Sequence, residues 1–328
     1  MNKSTRNTLI GAGIASSAIA AFGAVSHTVT KKLMSVGMDR QAPAKFAEAR
    51  PKFNRSPALQ GAMVQLEQAG EILQSRPTEI VETISGDGIR LVGHLYRCEN
   101  AERTIIAMHG WRSAWYRDFG IISEFWHNHG CNVLYAEQRA QGESEGEYMG
   151  FGLTERYDCV SWINFLNENG FDKTPIYLAG VSMGAATVMM AAGLELPGNV
   201  HGVIADCGYT SPHAIWEHIL KNNLHLSYGN LRKKTIDDMF KKNNQVDTIT
   251  DSCTDAMKSC KTPVIFIHGT DDHMVPVEMT YENYQACAAP KRLLIVPGAE
   301  HGMSYLVDKA GYEAALMQFW ADYDKITT

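Results

Sequence analysis

The pentapeptide Gly180-Val181-Ser182-Met183-Gly184 sets one hydroxyl between two glycines, after the apolar run 176–179 and before the helix-forming run 185–192. A chain that turns sharply from strand to helix needs residues without a Cβ beside the bend, and a serine at the apex then stands clear of the sheet. The chemistry open to such a serine is attack on a carbonyl carbon. A neutral hydroxyl is a weak nucleophile, so an imidazole must lie within hydrogen-bond reach. Two later loops offer partners: His268-Gly269-Thr270-Asp271-Asp272-His273-Met274-Val275-Pro276 and Gly298-Ala299-Glu300-His301-Gly302. His301 is the candidate base, accepting the Ser182 proton and returning it to the leaving group. Asp272 is the candidate acid, holding the imidazole tautomer and stabilising the imidazolium. Ser, Asp, His is one of three known chain orders for this constellation.

Two other carboxylates compete with Asp272. Asp271 is its neighbour, and adjacent loop side chains point in different directions. Asp206, in Asp206-Cys207-Gly208-Tyr209, reads as a structural carboxylate near a hinge. The run Met108-His109-Gly110-Trp111-Arg112-Ser113 supplies the remaining part. The backbone N–H of Trp111, together with that of Met183 at a helix start, is the candidate oxyanion hole, each donor worth about 3 kcal/mol in the transition state. His109 reads as a residue that fixes the loop, not as a second base.

These loops need a scaffold that brings them to one edge. Runs at 80–84 and 89–97, joined by Ser-Gly-Asp-Gly, predict a hairpin. Short, nearly continuous apolar runs follow at 104–108, 132–136, 176–179, 200–205, 264–267 and 292–296, as expected of strands buried on both faces of a parallel sheet. Helical stretches at about 114–128, 154–169, 183–194, 276–288 and 310–323 separate them. The fold class is α/β, with a mainly parallel eight-stranded sheet, helices on both faces and a small helical cap. The cap is the insertion at about 210–250, containing helical runs at 215–226 and 231–242; Lys233, Lys234, Lys241 and Lys242 form a solvated face. Upstream, residues 31–76 read as a helical extension in which Leu59, Met63, Leu66 and Leu73 make one apolar stripe. The main domain runs over 77–328.

Residues 7–30 carry no Lys, Arg, Asp or Glu and are flanked by Lys3, Arg6, Lys31 and Lys32. Residues 1–30 thus read as a signal peptide, with small residues such as Ala24 and Ser26 near a cleavage point, or as an uncleaved membrane anchor; an apolar helix packed on the domain is the alternative. The expected location is the cell membrane or the exterior, with the catalytic domain outside the cytoplasm. A net charge of −6 provides no basic field for nucleic acid. Seven scattered cysteines make no disulfide framework; Cys253 and Cys260 are a candidate pair, each otherwise a small buried thiol. His127 and His129 diverge on a helix, no His-Glu-x-x-His or glycine-rich phosphate loop occurs, and neither metal nor cofactor is expected. Trp111, Trp115, Tyr116, Tyr209 and Trp216 are either an apolar acyl pocket or ordinary core.

From about Glu79 to the end, the chain resembles the α/β-hydrolase superfamily, in the bacterial branch of serine-aminopeptidase-like hydrolases, monoacylglycerol lipases and cinnamoyl esterases. The resemblance rests on His109-Gly110-Trp111, the Ser182 pentapeptide, Asp272 to Pro276, and Glu300-His301-Gly302 in that order. It extends to residues 137–144, where Glu137 and Gln141 depart from the Asp-x-Arg-Gly-His-Gly-x-Ser of relatives. That loop is structural in relatives, and N-terminally anchored members are familiar. The resemblance implies a serine hydrolase working on a small-molecule ester through an acyl-enzyme, with a peptidase or amidase as the rival and a non-catalytic binding protein on the same fold behind both.

Overall fold

The structure is a computed structural model that describes residues 23–41, the backbone from 57, all of 61–248, and 251–325. Its centre is one eight-stranded sheet: β1 (Glu79–Ile84), β2 (Arg90–Tyr96), β3 (Arg103–Met108), β4 (Cys131–Ala136), β5 (Ile176–Val181), β6 (Val200–Asp206), β7 (Val264–Gly269) and β8 (Lys291–Val296). The spatial order is β1-β2-β4-β3-β5-β6-β7-β8, with β2 antiparallel to β1 and β4 and every later pairing parallel. β3, β4, β6 and β7 are buried along their whole length, as their unbroken apolar runs require. Parallel pairing sends all the β-to-helix loops from β3 to β8 to one edge.

Helices cover both faces. The helix over residues 23–38 is α1, followed by α2 (Pro57–Ser75), α3 (Trp115–Asn128), α4 (Glu155–Leu166), α5 (Met183–Ala192), α6 (Pro212–His218), α7 (Asn230–Asn244), α8 (Cys253–Ser259), α9 (Val277–Ala286), α10 (Ser304–Val307) and α11 (Lys309–Tyr323). One core lies between the sheet and α4, α5 and the cap, around Trp162, Met183 and Phe266. The other lies under α2, α3 and α11, around Phe119, Trp126, Tyr135 and Trp320. α2 lays its Met63, Leu66 and Leu73 face towards α3, with Leu73 fully buried; the side chain of Leu59 is outside the described residues. The cap comprises α6, a π-helical turn at Ile219–Asn223, and α7. α8 and α10, neither foreseen from sequence, are short helices of seven and four residues, too brief to show a periodic stripe.

The N-terminal charge boundary at residue 30 does not coincide with a structural one. α1 crosses it and buries Ser26, Thr30, Met34 and Met38, a four-residue repeat that forms one helix face. Arg232 donates to Thr30 Oγ1 at 3.0 Å, and His27 pairs with Thr235 Oγ1 at 2.9 Å, so α1 is fastened to α7. No helix among the described residues is long and apolar enough to cross a membrane. Expectations for residues 1–22 lie outside the described residues.

Cys253 and Cys260 do not pair. They are seven positions apart at opposite ends of α8, which a rise of about 1.5 Å per residue stretches to roughly 10 Å, beyond the roughly 7 Å a disulfide spans. The Cys253 thiol instead meets the carbonyl of Ala186 at 3.7 Å.

Candidate active site

Ser182 stands at the turn between β5 and α5 with φ 57° and ψ −114°, a strained backbone for a residue with a side chain. The surroundings enforce it: a Cβ on Gly184 would collide with the carbonyl of Met108, and one on Gly180 with the Gly184 backbone. Only glycine lets β5, β3 and α5 approach this closely.

The loops after β7 and β8 converge on this turn. The Ser182 hydroxyl lies 2.9 Å from His301 Nε2, and His301 Nδ1 lies 2.6 Å from Asp272 Oδ2. Asp272 is held from the other side, where its Oδ1 accepts the N–H groups of Met274 and Val275, each at 2.8 Å. Its Oδ2 also faces His268 Nε2 at 3.0 Å, and the same nitrogen sits 2.9 Å from the Val275 carbonyl. Burial resists ionisation of Asp272, but the hydrogen bonds from His268 and His301 outweigh it and hold the carboxyl well below the usual aspartate range. At His301 burial disfavours the imidazolium; Cys207 and Asp272 reverse that and raise its pKa well above the ordinary histidine value. Burial pushes the Cys207 thiol up to about 11, so it is uncharged at neutral pH and the Asp272 carboxylate is the operative partner.

The competing carboxylates sit elsewhere. Asp271 is exposed and accepts from Thr270 Oγ1. Asp206 is buried beneath the turn, accepting from Ser304 Oγ at 3.3 Å and Tyr312 OH at 3.1 Å, and burial pushes it up to about 6. Its carbonyl takes the Ser182 N–H at 2.9 Å.

The loop after β3 closes over the serine; a Cβ at Gly110 would be 3.4 Å from Ser182 Cβ. Among the described residues the backbone N–H groups of Trp111 and Met183 have no acceptor. His109 is buried, its Nδ1 2.8 Å from the Gly110 carbonyl and its Nε2 accepting from the Gln138 N–H at 3.2 Å, so it fixes the loop. Three residues that sequence reasoning gave no role hold this loop from outside. Asp118, in the first turn of α3, accepts the Gly110 N–H at 2.6 Å and the Ser113 hydroxyl. Gln141 Oε1 accepts the Arg112 N–H at 2.7 Å. The Arg112 guanidinium donates to the Val36 and Asp39 carbonyls at the end of α1, while the Trp111 indole donates to Gly37 O at 2.7 Å. An acidic residue placed just inside the helix after the His-Gly turn was the available signal for Asp118.

Of the five aromatics in question, Trp111 is the exposed one, on the loop beside Ser182. Trp115 stacks on His94 and packs on Tyr135, Tyr116 abuts the same core, Tyr209 donates to the Phe151 carbonyl, and Trp216 packs on Phe151 beneath Gly37. Trp115, Tyr209 and Trp216 are core, and Tyr116 is half-buried against it. The 137–144 loop is cross-braced: Glu137 pairs with His94 at 2.9 Å and accepts the Glu143 N–H, and Arg139 binds Asp158 and Asp87. Ligand atoms of Cys207, Asp272 and His301 lie within 4.8 Å of one another, but the carboxylate and imidazole are already engaged in the hydrogen-bonded row.

The signature of the prolyl oligopeptidase family matches residues 117–325, well over half of the chain. The chain belongs to that family. It is thereby a serine hydrolase of the α/β-hydrolase superfamily, on the eight-stranded fold described above. The chain is similar to the uncharacterized protein YqkD of Bacillus subtilis, 27% identical over 72% of this chain and 76% of that one. It is also similar to alpha/beta hydrolase domain-containing protein 17B of Xenopus tropicalis, 24% identical over 72% and 74%. Among solved structures, the esterase Pf2001 of Pyrococcus furiosus superposes with a TM-score of 0.63 at 22% identity, covering 83% of this chain and 96% of that one. Est1E of Butyrivibrio proteoclasticus, with ferulic acid bound, gives 0.57 at 22% identity over 73% and 99%. At these identities the structures establish the fold.

Proposed function

We propose that this serine hydrolase is a carboxylesterase for small or medium acyl esters, with Ser182 as nucleophile, His301 as general base and Asp272 as the orienting acid. The observation that carries this reading is the continuous row from Ser182 Oγ to His301 Nε2 (2.9 Å) and from His301 Nδ1 to Asp272 Oδ2 (2.6 Å) beside two unpartnered backbone donors. In the mechanism, Ser182 attacks the ester carbonyl as His301 takes its proton, and the N–H groups of Met183 and Trp111 receive the oxyanion. His301, paired with Asp272, then protonates the departing alcohol. Water enters, gives its proton to the same imidazole, and releases the acid. Alcohols leave more readily than amines, and fold relatives that are esterases agree with the choice.

The family match favours a second reading, a peptidase or amidase acting through the same residues. Nitrophenyl esters of graded chain length and peptidyl-nitroanilides, tested side by side, separate the two. Ester turnover that disappears in Ser182→Ala supports the proposal. Turnover of anilides alone supports the rival, and turnover retained in Ser182→Ala refutes both. A fluorophosphonate that fails to label Ser182 in folded protein favours a non-catalytic role. For residues 1–30, membrane association or export stays the proposal; a full chain recovered in the soluble cytoplasmic fraction of its host counts against it.

A further inference from the structure

Two thiols outside the active site form a second chemical unit. Cys260 closes the C-terminal end of α8, where its N–H donates to the Met257 carbonyl. Cys287 closes the C-terminal end of α9, where its N–H donates to the Asn283 carbonyl. The two helix ends are tied together: the N–H of Ala288 donates to the same Met257 carbonyl at 3.0 Å. That shared carbonyl brings Cys260 beside Ala288, the neighbour of Cys287, so the two thiols lie close enough to shift one another's titration, and neither is in a disulfide. The Lys291 ammonium sits on the Cys287 side, donating at 2.8 Å to the carbonyls of Cys287 and Tyr284. Ser259, Lys261 and Ala288 beside the pair are exposed, so the pair lies just under the surface.

This asymmetry assigns different roles to the two sulfurs. Cys260 Sγ also lies 3.2 Å from the Thr262 carbonyl, and its hydrogen bond with Cys287, together with burial, holds its pKa well above the usual thiol value. The hydrogen bond from Cys260, with the nearby ammonium, favours the thiolate at Cys287 and holds its pKa below the usual thiol value despite burial. A thiolate near a cation, with a second thiol at hand, is the arrangement that reacts reversibly with disulfides.

We propose that Cys287 and Cys260 are a redox pair, oxidised by small-molecule or protein disulfides to a reversible bond that staples α8 to α9. The Cys287 thiolate attacks one sulfur of the oxidant disulfide, forming a mixed disulfide and expelling one thiolate. Cys260, losing its proton, then attacks the Cys287 sulfur and expels the second thiolate. The protein loses two hydrogens and two electrons, and the oxidant becomes two thiols. The closed loop contains β7, the Asp272 loop and α9, so oxidation joins the base of the cap insertion to the segment carrying the candidate acid. Sequence spacing concealed the pair, because the residues are far apart in the chain and meet only where two helix ends pack.

The test uses the full chain, reduced and then incubated folded with oxidised glutathione at pH 8. Remaining thiols are blocked with maleimide after denaturation, and the digest is mapped by mass spectrometry. The expected product is one linked peptide pair, Cys260 to Cys287, two hydrogens lighter than the reduced pair and abolished by dithiothreitol, with a melting temperature several degrees above that of reduced protein. In Cys260→Ala, glutathione should remain attached to Cys287; in Cys287→Ala, Cys260 should stay unmodified. Melting curves of both reduced variants verify that they are folded. Folded wild-type protein that forms no such link, that stops at glutathione on Cys287, or that links other cysteine pairs equally overturns the proposal.

Discussion

Replacing Asp272 with asparagine tests the reading of the site more sharply than removing the serine, because it changes one atom and leaves the shape. The carboxylate meets four partners: the Met274 and Val275 N–H groups on Oδ1, and His301 and His268 on Oδ2. An amide has two placements. With its oxygen on the Oδ1 side, both backbone bonds survive, but the NH2 faces His301 Nδ1. That nitrogen must then become an acceptor, so the ring proton moves to Nε2 and points at Ser182, where it cannot accept the hydroxyl proton. With the amide flipped, His301 keeps its productive tautomer, but the NH2 confronts two buried N–H donors. Leaving each of those unsatisfied costs about 1–3 kcal/mol. The flipped form also restores an acceptor for His268, which in the first placement falls back on the Val275 carbonyl alone. The net bias is about 3–5 kcal/mol towards the wrong tautomer, or roughly 200- to 5,000-fold at 1.36 kcal/mol per decade. Loss of the carboxylate charge that stabilises the imidazolium deepens this towards about 10,000-fold, the scale known for such a change in a triad. The assay is kcat on the best nitrophenyl ester, with melting temperature and fluorophosphonate labelling rate measured on the same preparation. The expected outcome is folded protein whose kcat and labelling rate fall together by about a thousandfold or more. A kcat within tenfold of the parent, while Ser182→Ala is dead, refutes the claim that Asp272 sets the tautomer.

Four other outcomes follow from the geometry. Because the base must be neutral to accept the Ser182 proton and Asp272 raises the His301 pKa, kcat/KM should climb with pH through a midpoint above 6.5; a midpoint at or below that value contradicts the pairing. The sign for stability is opposite: what protonated His301 contributes is fully present below its unfolded value near 6.5 and is lost as pH rises through the raised one, so melting temperature should sag at alkaline pH, less so in Asp272→Asn. Gly184→Ala forces a methyl against the Met108 carbonyl, and folded yield should collapse; a normal melt with normal activity would show that the turn has slack. Arg139→Ala strands the buried Asp158 carboxylate, whose pKa burial already pushes up to about 7 despite the ion pair; urea unfolding should register a loss of about 3–5 kcal/mol, and a change under 1 kcal/mol would mean the brace is dispensable.

The architecture was legible in the sequence because its signals are local. Strands buried on both faces must be continuously apolar, and the runs at 104–108, 132–136 and 264–267 fall inside β3, β4 and β7. The turn around Ser182 is equally local: glycine at 180 and 184 is demanded by close approach of backbone, so residue type alone marks the place. The order of Ser182, Asp272 and His301 along the chain, each after a strand, restricted the candidates before any distance was known.

What the chain order left open depended on direction and distance across the fold. Choosing Asp272 over Asp271 and Asp206 rests on where each carboxylate points, and two neighbouring loop residues look alike in a sequence. The hold of Asp118, Gln141 and Arg112 on the loop bearing Trp111 is made across separate elements, so no periodicity announces it. Aromatic residues carry the same signal in a core and in a pocket; packing put Trp115 and Tyr209 in the interior and left Trp111 at the rim. The charge-free N-terminal stretch was read by composition, while α1 is defined by the four-residue face it buries against the cap. Local sequence determines backbone conformation through short-range sterics and solvation, whereas the pairing of remote side chains is decided only when the sheet and its helices close around them.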